Sequence, residues 1–345
     1  MVRRIFGRSD FGYNIGEVSQ GCKICFSGSS IVIFVTGLCR DSCFYCPISY
    51  RKRGKDLTYV NDESVTTIDE IILEAHHIKA RGAALTGGDP LLVLTKTIGI
   101  IEALKNEFGE KFYIHLYTSG RYADRETLKL LEKAGLDEIR FHPVDKKYLK
   151  RIEIAVKETS MKVGIEVPAI PGRIEWLKEL ALFLENIGGD FININELEVS
   201  EANINNMINR GYRISKNGIS IEGSYETALE LLNWAKENLN RIAVRFCPAI
   251  YKDKFQLRNR LLRKASIIGK PYEELTPSGT LRVAVIEKIK ESLPAEAKNY
   301  VVELGSGLTV AHPKIANYVA SKYQIIEYYP RTKGKFIVNR VEYTT

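Results

Sequence analysis

Three cysteines, Cys39, Cys43 and Cys46, follow directly on the apolar, β-branched run from Ile31 to Thr36. Their spacing is C-x3-C-x2-C, with Tyr45 just before the third. A strand that runs into such a loop delivers three thiols to one point. Three thiolates can hold an iron–sulfur cluster and leave one iron without a protein ligand. That open iron is a place for a cofactor or a substrate. The alternative is a structural zinc knuckle, which usually pairs cysteines at C-x2-4-C with a second ligand pair elsewhere. One loop with three thiols and no neighbouring histidine suits zinc poorly.

The remaining thiols are Cys22, Cys25 and Cys247. Cys22 and Cys25 form a C-x2-C knuckle shortly before the first strand, and Cys247 lies near the end of a later one. In a barrel those two regions can meet. A second metal site is therefore expected, either an auxiliary cluster with an open iron or zinc with a fourth ligand other than cysteine. Unligated core cysteine is the plain alternative. A further feature is Gly87-Gly88-Asp89-Pro90 at a strand end. Successive N–H groups in a glycine turn form a nest for charged ligand groups, and the missing Cβ allows close approach.

The elements that must position these groups read as alternating strands and helices. After Ile31–Thr36, helix is expected over 66–79, 94–108, 125–134, 146–158, 174–186 and 225–238, from apolar residues at helical spacing. Strands are expected over 83–86, 112–117, 138–142, 162–167 and 191–195, with 242–246 as one more. Polar groups end strand after strand: Thr86, Ser119, His142, Glu166, Asn195. An open sheet gathers its reactive groups at one switch point, whereas a barrel spreads them over many strand ends. The expected fold class is α/β, a partial six-unit TIM-type barrel over residues 31–240. Residues 1–30 read as an irregular, glycine-rich leader. Residues 241–279 read as a basic helix and linker, with Thr276-Pro-Ser-Gly279 as the break. Residues 280–345 read as a small α+β region, with helices over 281–293 and 313–322 and a hairpin of 325–329 with 336–343.

The C-x3-C-x-aromatic-C spacing resembles the signature of the radical S-adenosylmethionine (radical SAM) superfamily, and the resemblance covers roughly residues 30–200. It implies a [4Fe–4S] cluster on Cys39, Cys43 and Cys46, with the methionyl amine and carboxylate of SAM on the open iron. It also implies that Tyr45, Gly87, Gly88 and Asp89 lie against the cofactor, Asp89 standing where that family commonly has Glu. Ser119 and Gly120 are then expected near the SAM ribose, and Glu166 and Asn195 beside them. His142, Glu196 and Glu198 are expected to face substrate. Within the superfamily the turn and compact barrel are similar to the archaeal group related to pyruvate formate-lyase activating enzyme, from which the region after 280 departs. The implied reaction is one-electron cleavage of SAM to methionine and a 5′-deoxyadenosyl radical, which takes hydrogen from a substrate. The cofactor carries that chemistry and the protein positions it. An external reductant of flavodoxin or ferredoxin type is implied as partner.

Composition narrows the setting. No run of about 18 apolar residues occurs, so no membrane span is expected. The first residues, Met1-Val-Arg-Arg-Ile-Phe-Gly-Arg, lack a signal peptide's apolar segment. A cytoplasmic location is expected, where cysteines serve as metal ligands or reactive thiols rather than disulfides. Three glutamines among abundant Ile, Lys and Glu match the bias of thermophile proteins. Net charge is +8. The stretch 250–270 concentrates it, with Lys252, Lys254, Arg258, Arg260, Arg263, Lys264 and Lys270 against Asp253. Such a run either tracks phosphates or is a solvated helix face. RNA or a polypeptide is favoured slightly over a small metabolite as substrate. The competing class is a non-catalytic iron–sulfur or zinc protein that binds RNA, which would hold metal but no SAM.

Overall fold

The computed structural model describes residues 3–289, 295–305, 307–334 and 337–344. The chain begins with β1 (Phe6–Arg8), β2 (Gly12–Ile15), α1 (Gln20–Phe26) and β3 (Ser30–Thr36). The hairpin β4 (Thr58–Val60) and β5 (Glu63–Val65) follows the cysteine loop. Next come α2 (Ile68–His77), β6 (Gly82–Gly87), α3 (Leu94–Phe108), β7 (Tyr113–Thr118), α4 (Arg125–Ala134) and β8 (Glu138–Phe141). Then come α5 (Leu149–Glu158), β9 (Lys162–Ala169), α6 (Ile174–Ile187), β10 (Phe191–Glu196), α7 (Ile204–Ile208), α8 (Ser224–Asn238) and β11 (Ala243–Cys247). The barrel-side chain ends with α9 (Ala249–Tyr251) and α10 (Arg258–Ile268), joined by a π-helical segment, Lys252–Leu257.

These strands form one open sheet in the order β1-β2-β11-β10-β9-β8-β7-β6-β3-β4-β5. From β11 to β3 every pairing is parallel, and an antiparallel hairpin covers each edge. The expected α/β partial barrel is present, and the 242–246 segment supplies a further parallel strand. The helix signals between residues 66 and 238 are local. Thr67, for example, caps α2 through a reciprocal capping box with Glu70.

Alternation along the strands separates two faces. Ile31, Ile33, Leu85, Ile114, Leu116, Ile139, Phe141, Ile165, Ile192, Ile194, Val244 and Phe246 join the core packed under the helices. The residues between them, among them Tyr117, Arg140, Glu166, Asn193, Asn195, Arg245 and Cys247, face a cavity on the concave side.

The leader is not irregular. β2 pairs with β11 far along the chain, and Ser19 Oγ caps α1 by accepting the Cys22 N–H at 3.3 Å. Its strands are only three and four residues long, too short to announce themselves without their partner. α1 lies against the concave face: a Cβ on Gly21 would stand 2.6 Å from Arg140 and 3.0 Å from Glu138.

The C-terminal region also differs from expectation. β12 (Glu274–Leu275), β13 (Leu281–Ile289), β14 (Val301–Leu304), β15 (Leu308–Ala311), β16 (Ala320–Tyr328) and β17 (Ile337–Thr344) form an antiparallel sheet, with α11 (Ala316–Val319) before β16. The helix expected over 281–293 is strand β13 as far as Ile289, because pairing with β15 on one side and β16 on the other overrides local propensity. Residues 290–293 and Phe336 lie outside the described residues. The helix expected over 313–322 shrinks to a short 3-10 turn and α11. Thr276-Pro-Ser-Gly279 is a hairpin turn between β12 and β13 rather than a linker, with Gly279 at φ +89°. Among the described residues no helix is long and apolar enough to cross a membrane.

One buried ion cluster ties this sheet to the barrel. Lys264 Nζ on α10 lies 2.6 Å from Glu63 and 2.7 Å from Glu74. The Thr332 and Lys333 N–H groups also donate to Glu63. Burial raises the Glu63 carboxyl, but hydrogen bonds from Lys264 and Thr332 outweigh it and hold the group at about 2, below its ordinary 4.5. Its ionised form thus stabilises the fold fully above pH 4.5 and loses that contribution as pH falls towards 2. Lys264→Ala strands two buried carboxylates and should cost about 3–5 kcal/mol. Urea unfolding at neutral pH is the measurement, with the deficit shrinking on acidification into that window.

Candidate functional site

The concave face encloses a cavity of about 940 Å³. Cys39, Cys43 and Cys46 line it from the β3–β4 loop, and Cys22, Cys25 and Cys247 line it from α1 and β11. The loop is fixed by backbone bonds at its base. The Gly37 N–H donates to Lys55 O and the Gly54 N–H to Gly37 O, both at 2.8 Å. A Cβ on Gly37 would meet Lys52 O at 1.8 Å, so no side chain fits there. Arg53 donates to Cys46 O at 2.9 Å, and Asn203 donates to Tyr45 O at 2.9 Å. Arg121 pairs with Asp41 at 2.7 Å.

The glycine turn braces this loop through its amides. The Gly88 N–H donates to Thr36 O at 2.6 Å and the Asp89 N–H to Leu38 O at 2.8 Å. The expected nest is therefore corrected at these two positions, whose N–H groups hold the cysteine loop. A ligand amine would in any case need acceptors, which only carbonyl oxygens of this turn provide. Gly87 and Gly88 line the cavity; Asp89 lies behind them, 1% exposed. Its carboxylate accepts from Thr118 Oγ1 at 2.9 Å, Ser119 Oγ at 2.9 Å, Ser119 N at 3.2 Å and Leu91 N at 3.1 Å. Burial nevertheless raises its pKa above the usual carboxylate value. Asp89 is thus a bracket joining the ends of β6 and β7.

Tyr45, His142 and Glu166 form a chain. Tyr45 Oη lies 2.8 Å from His142 Nε2, and His142 Nδ1 lies 2.9 Å from Glu166 O. A carbonyl only accepts, so Nδ1 carries the hydrogen and Nε2 accepts from Tyr45. Burial lowers the His142 pKa, keeping the ring neutral. His142 lines the cavity as expected, with Nε2 engaged by Tyr45 and Nδ1 by Glu166 O.

Arg140 anchors the floor, 2% exposed. It donates to Glu166 at 2.8 Å, to Tyr117 Oη at 2.9 Å and to Ser19 Oγ at 3.1 Å, and pairs with Glu138. Glu166 also accepts from Asn193 at 2.9 Å and Asn195 at 3.0 Å. Burial raises the Glu166 carboxyl, but Arg140 and the two amides outweigh it and keep the group below its ordinary value.

Of the expected site residues, Tyr45, Gly87, Gly88, Ser119, Glu166, Asn195, His142 and the six cysteines line one cavity. Asp89, Gly120, Glu196 and Glu198 are not among its lining residues. Glu196 accepts the Ala249 N–H at 2.8 Å, and Glu198 pairs with Lys252 at 2.6 Å. Tyr117, Asn193 and Arg245 were missed; their signal was strand alternation, which puts them on the face of Glu166 and Asn195. The basic segment is tied inward. Lys254 pairs with Asp10, Arg260 with Asp62 and Lys264 with Glu63 and Glu74. Arg258 donates to Pro277 O and Arg263 to Ile78 O, each at 2.8 Å.

Among the described residues no three His, Cys, Asp or Glu side chains form a ready-made site for a single metal ion. The Asp41 N–H donates to Cys39 Sγ at 3.4 Å, a hydrogen bond of the kind that tunes cluster sulfurs. Burial pushes the Cys43 thiol up to about 11.

Comparison with known proteins agrees with this geometry. The pattern of the Radical SAM superfamily matches residues 33–143. A Methanocaldococcus jannaschii protein, provisionally named a glycyl-radical enzyme activating enzyme, is 40% identical over 281 residues, 78% of this chain and 73% of that one. Among solved structures, Streptococcus suis SuiB bound to S-adenosylmethionine has a TM-score of 0.45 at 13% identity. That likeness covers 64% of this chain and half (50%) of SuiB. Escherichia coli coproporphyrinogen III oxidase has a TM-score of 0.40 at 8% identity, covering 95% of this chain and 76% of that one. On the 40% identity across most of both chains, and the family pattern across the cysteine loop, this chain is an enzyme of the radical SAM superfamily.

Proposed function

We propose that the chain cleaves SAM reductively at a [4Fe–4S] cluster carried by Cys39, Cys43 and Cys46, and directs the resulting hydrogen abstraction at a polypeptide. The observation that carries the first part is the mutual bracing of the cysteine loop and the Gly87-Gly88 turn on one cavity wall. When bound, the cluster supplies one electron to the sulfonium of SAM, and the cleaved cofactor takes a hydrogen atom from substrate. The protein's share is placement and exclusion of water. Gly88 and Asp89 hold the loop through their amides. Asp89 fixes Ser119 at the cavity edge. His142 orients Tyr45 beside the cysteines. Glu166 keeps acceptor capacity towards a hydroxyl on Oε1, which has a single donor, Asn195.

The polypeptide reading is supported by the relative's name and by the inward pairing of the basic segment, which leaves little of it to track a phosphate chain. Membership in an enzyme family removes the non-catalytic alternative. An external one-electron donor is required.

Anaerobic reduced protein incubated with SAM should release 5′-deoxyadenosine, and Cys43→Ala should bring this to background. Gly88→Ala places a Cβ 2.0 Å from Leu38 O, one residue before Cys39. The displaced loop should lower SAM cleavage about 100-fold. Asp89→Asn removes an acceptor shared by Thr118 and Ser119, worth about 1–3 kcal/mol. Its expected signature is a KM for SAM raised about tenfold. For substrate class, a cell extract divided into protein and small-molecule fractions is decisive. Stimulation of SAM cleavage by the protein fraction alone supports a polypeptide; stimulation by the small-molecule fraction alone refutes it.

A further inference from the structure

Cys22, Cys25 and Cys247 take no part in the steps above, yet they line the same cavity, with Cys22 close enough to both Cys25 and Cys247 to act on them electrostatically. Their meeting is built into the backbone. Cys22 and Cys25 stand three residues apart on α1, on one helix face. Cys247 ends β11, whose register with β2 pairs Val244 with Ile15, Arg245 with Asn14 and Phe246 with Tyr13. β2 leads straight into α1, so the strand carrying Cys247 also holds the segment carrying the other two.

The surroundings are those of an anionic sulfur site. Cys22 Sγ accepts from Arg140 Nη2 at 3.5 Å and from Asn193 Nδ2 at 3.4 Å. A neutral thiol is a weak acceptor, whereas metal-bound sulfur is commonly hydrogen-bonded. Arg245, two residues before Cys247, also lines the cavity and is 5% exposed. Its guanidinium packs on the Phe11 and Tyr251 rings and donates to Phe11 O at 3.4 Å. Among the described residues no carboxylate pairs with it, although Arg140 has two and Lys252 has one. A buried cation without a counter-charge is costly. Three thiolates on an iron–sulfur core carry net negative charge and would supply the missing partner.

We propose that Cys22, Cys25 and Cys247 hold a second [4Fe–4S] cluster, with one iron left open on the cavity side and Arg245 as its counter-cation.

Metal content decides the matter independently of SAM cleavage. Wild-type protein, reconstituted anaerobically, should carry about eight irons and as many acid-labile sulfides per chain, two four-iron clusters. Cys22→Ser and Cys247→Ser should each lower this to about four. The triple variant Cys39→Ser/Cys43→Ser/Cys46→Ser should retain about four, with a reduced-state EPR signal that added SAM does not alter. About four irons in wild type, unchanged in Cys247→Ser, overturns the proposal, as does one equivalent of zinc in place of the second four irons. If the single variants fold poorly, the triple variant decides alone. A triple variant without iron refutes the second cluster while leaving SAM cleavage by wild type untouched.

Discussion

Arg140 is a cation taken out of water in the middle of the barrel, and most of the concave face is arranged to answer it. A buried charge survives only when paired and hydrogen-bonded. Glu138 and Glu166 supply the charge, while Tyr117 and Ser19 take further donors. These partners belong to β7, β8, β9 and the cap of α1. The network therefore fixes the packing of α1 against the sheet and, through Glu166, the amides on β10. The cap at Ser19 and the contact at Cys22 act together with the packing of Phe26 on Phe11, Tyr251 and Phe255 to register the helix carrying two of the cavity's thiols.

The cavity is built differently at its two ends. At the β3–β4 loop, backbone bonds dominate: glycine at positions 37 and 88 lets chains pass closer than any side chain would allow. At the α1–β11 end, side-chain charge dominates, with Arg140, Arg245 and Lys252 around the thiols. The first end gives a rigid frame for a loop that must not shift. The second leaves Arg245 buried beside the thiols without a carboxylate partner among the described residues, while Arg140 and Lys252 are already paired.

The basic segment shows how a charge run misleads when read alone. Its cations looked available for phosphate. In the fold they clamp the leader, the β4–β5 hairpin, α2 and the C-terminal sheet together. Lys264 in particular is structural, since two buried carboxylates on either side of it would otherwise repel. The C-terminal sheet, which the local pattern suggested was part helical, is likewise a product of long-range pairing, with β13 bonded on both flanks.

The sequence by itself determined whatever is local. Cys39, Cys43 and Cys46 fall within eight consecutive residues, so their spacing alone defines one ligand loop. Capping and apolar spacing marked the helices α2 to α6 and α8 nearly to their ends, while α7 went unread, and alternating elements implied a parallel sheet. The tertiary structure decided what depends on partners remote in the chain. It drew β2 onto β11, and with it Cys22 and Cys25 towards Cys247. It turned Asp89 into a bracket for Ser119, and His142 into a support for Tyr45. No spacing rule encodes those meetings, because each rests on a hydrogen bond or strand register between residues that only the folded sheet brings together.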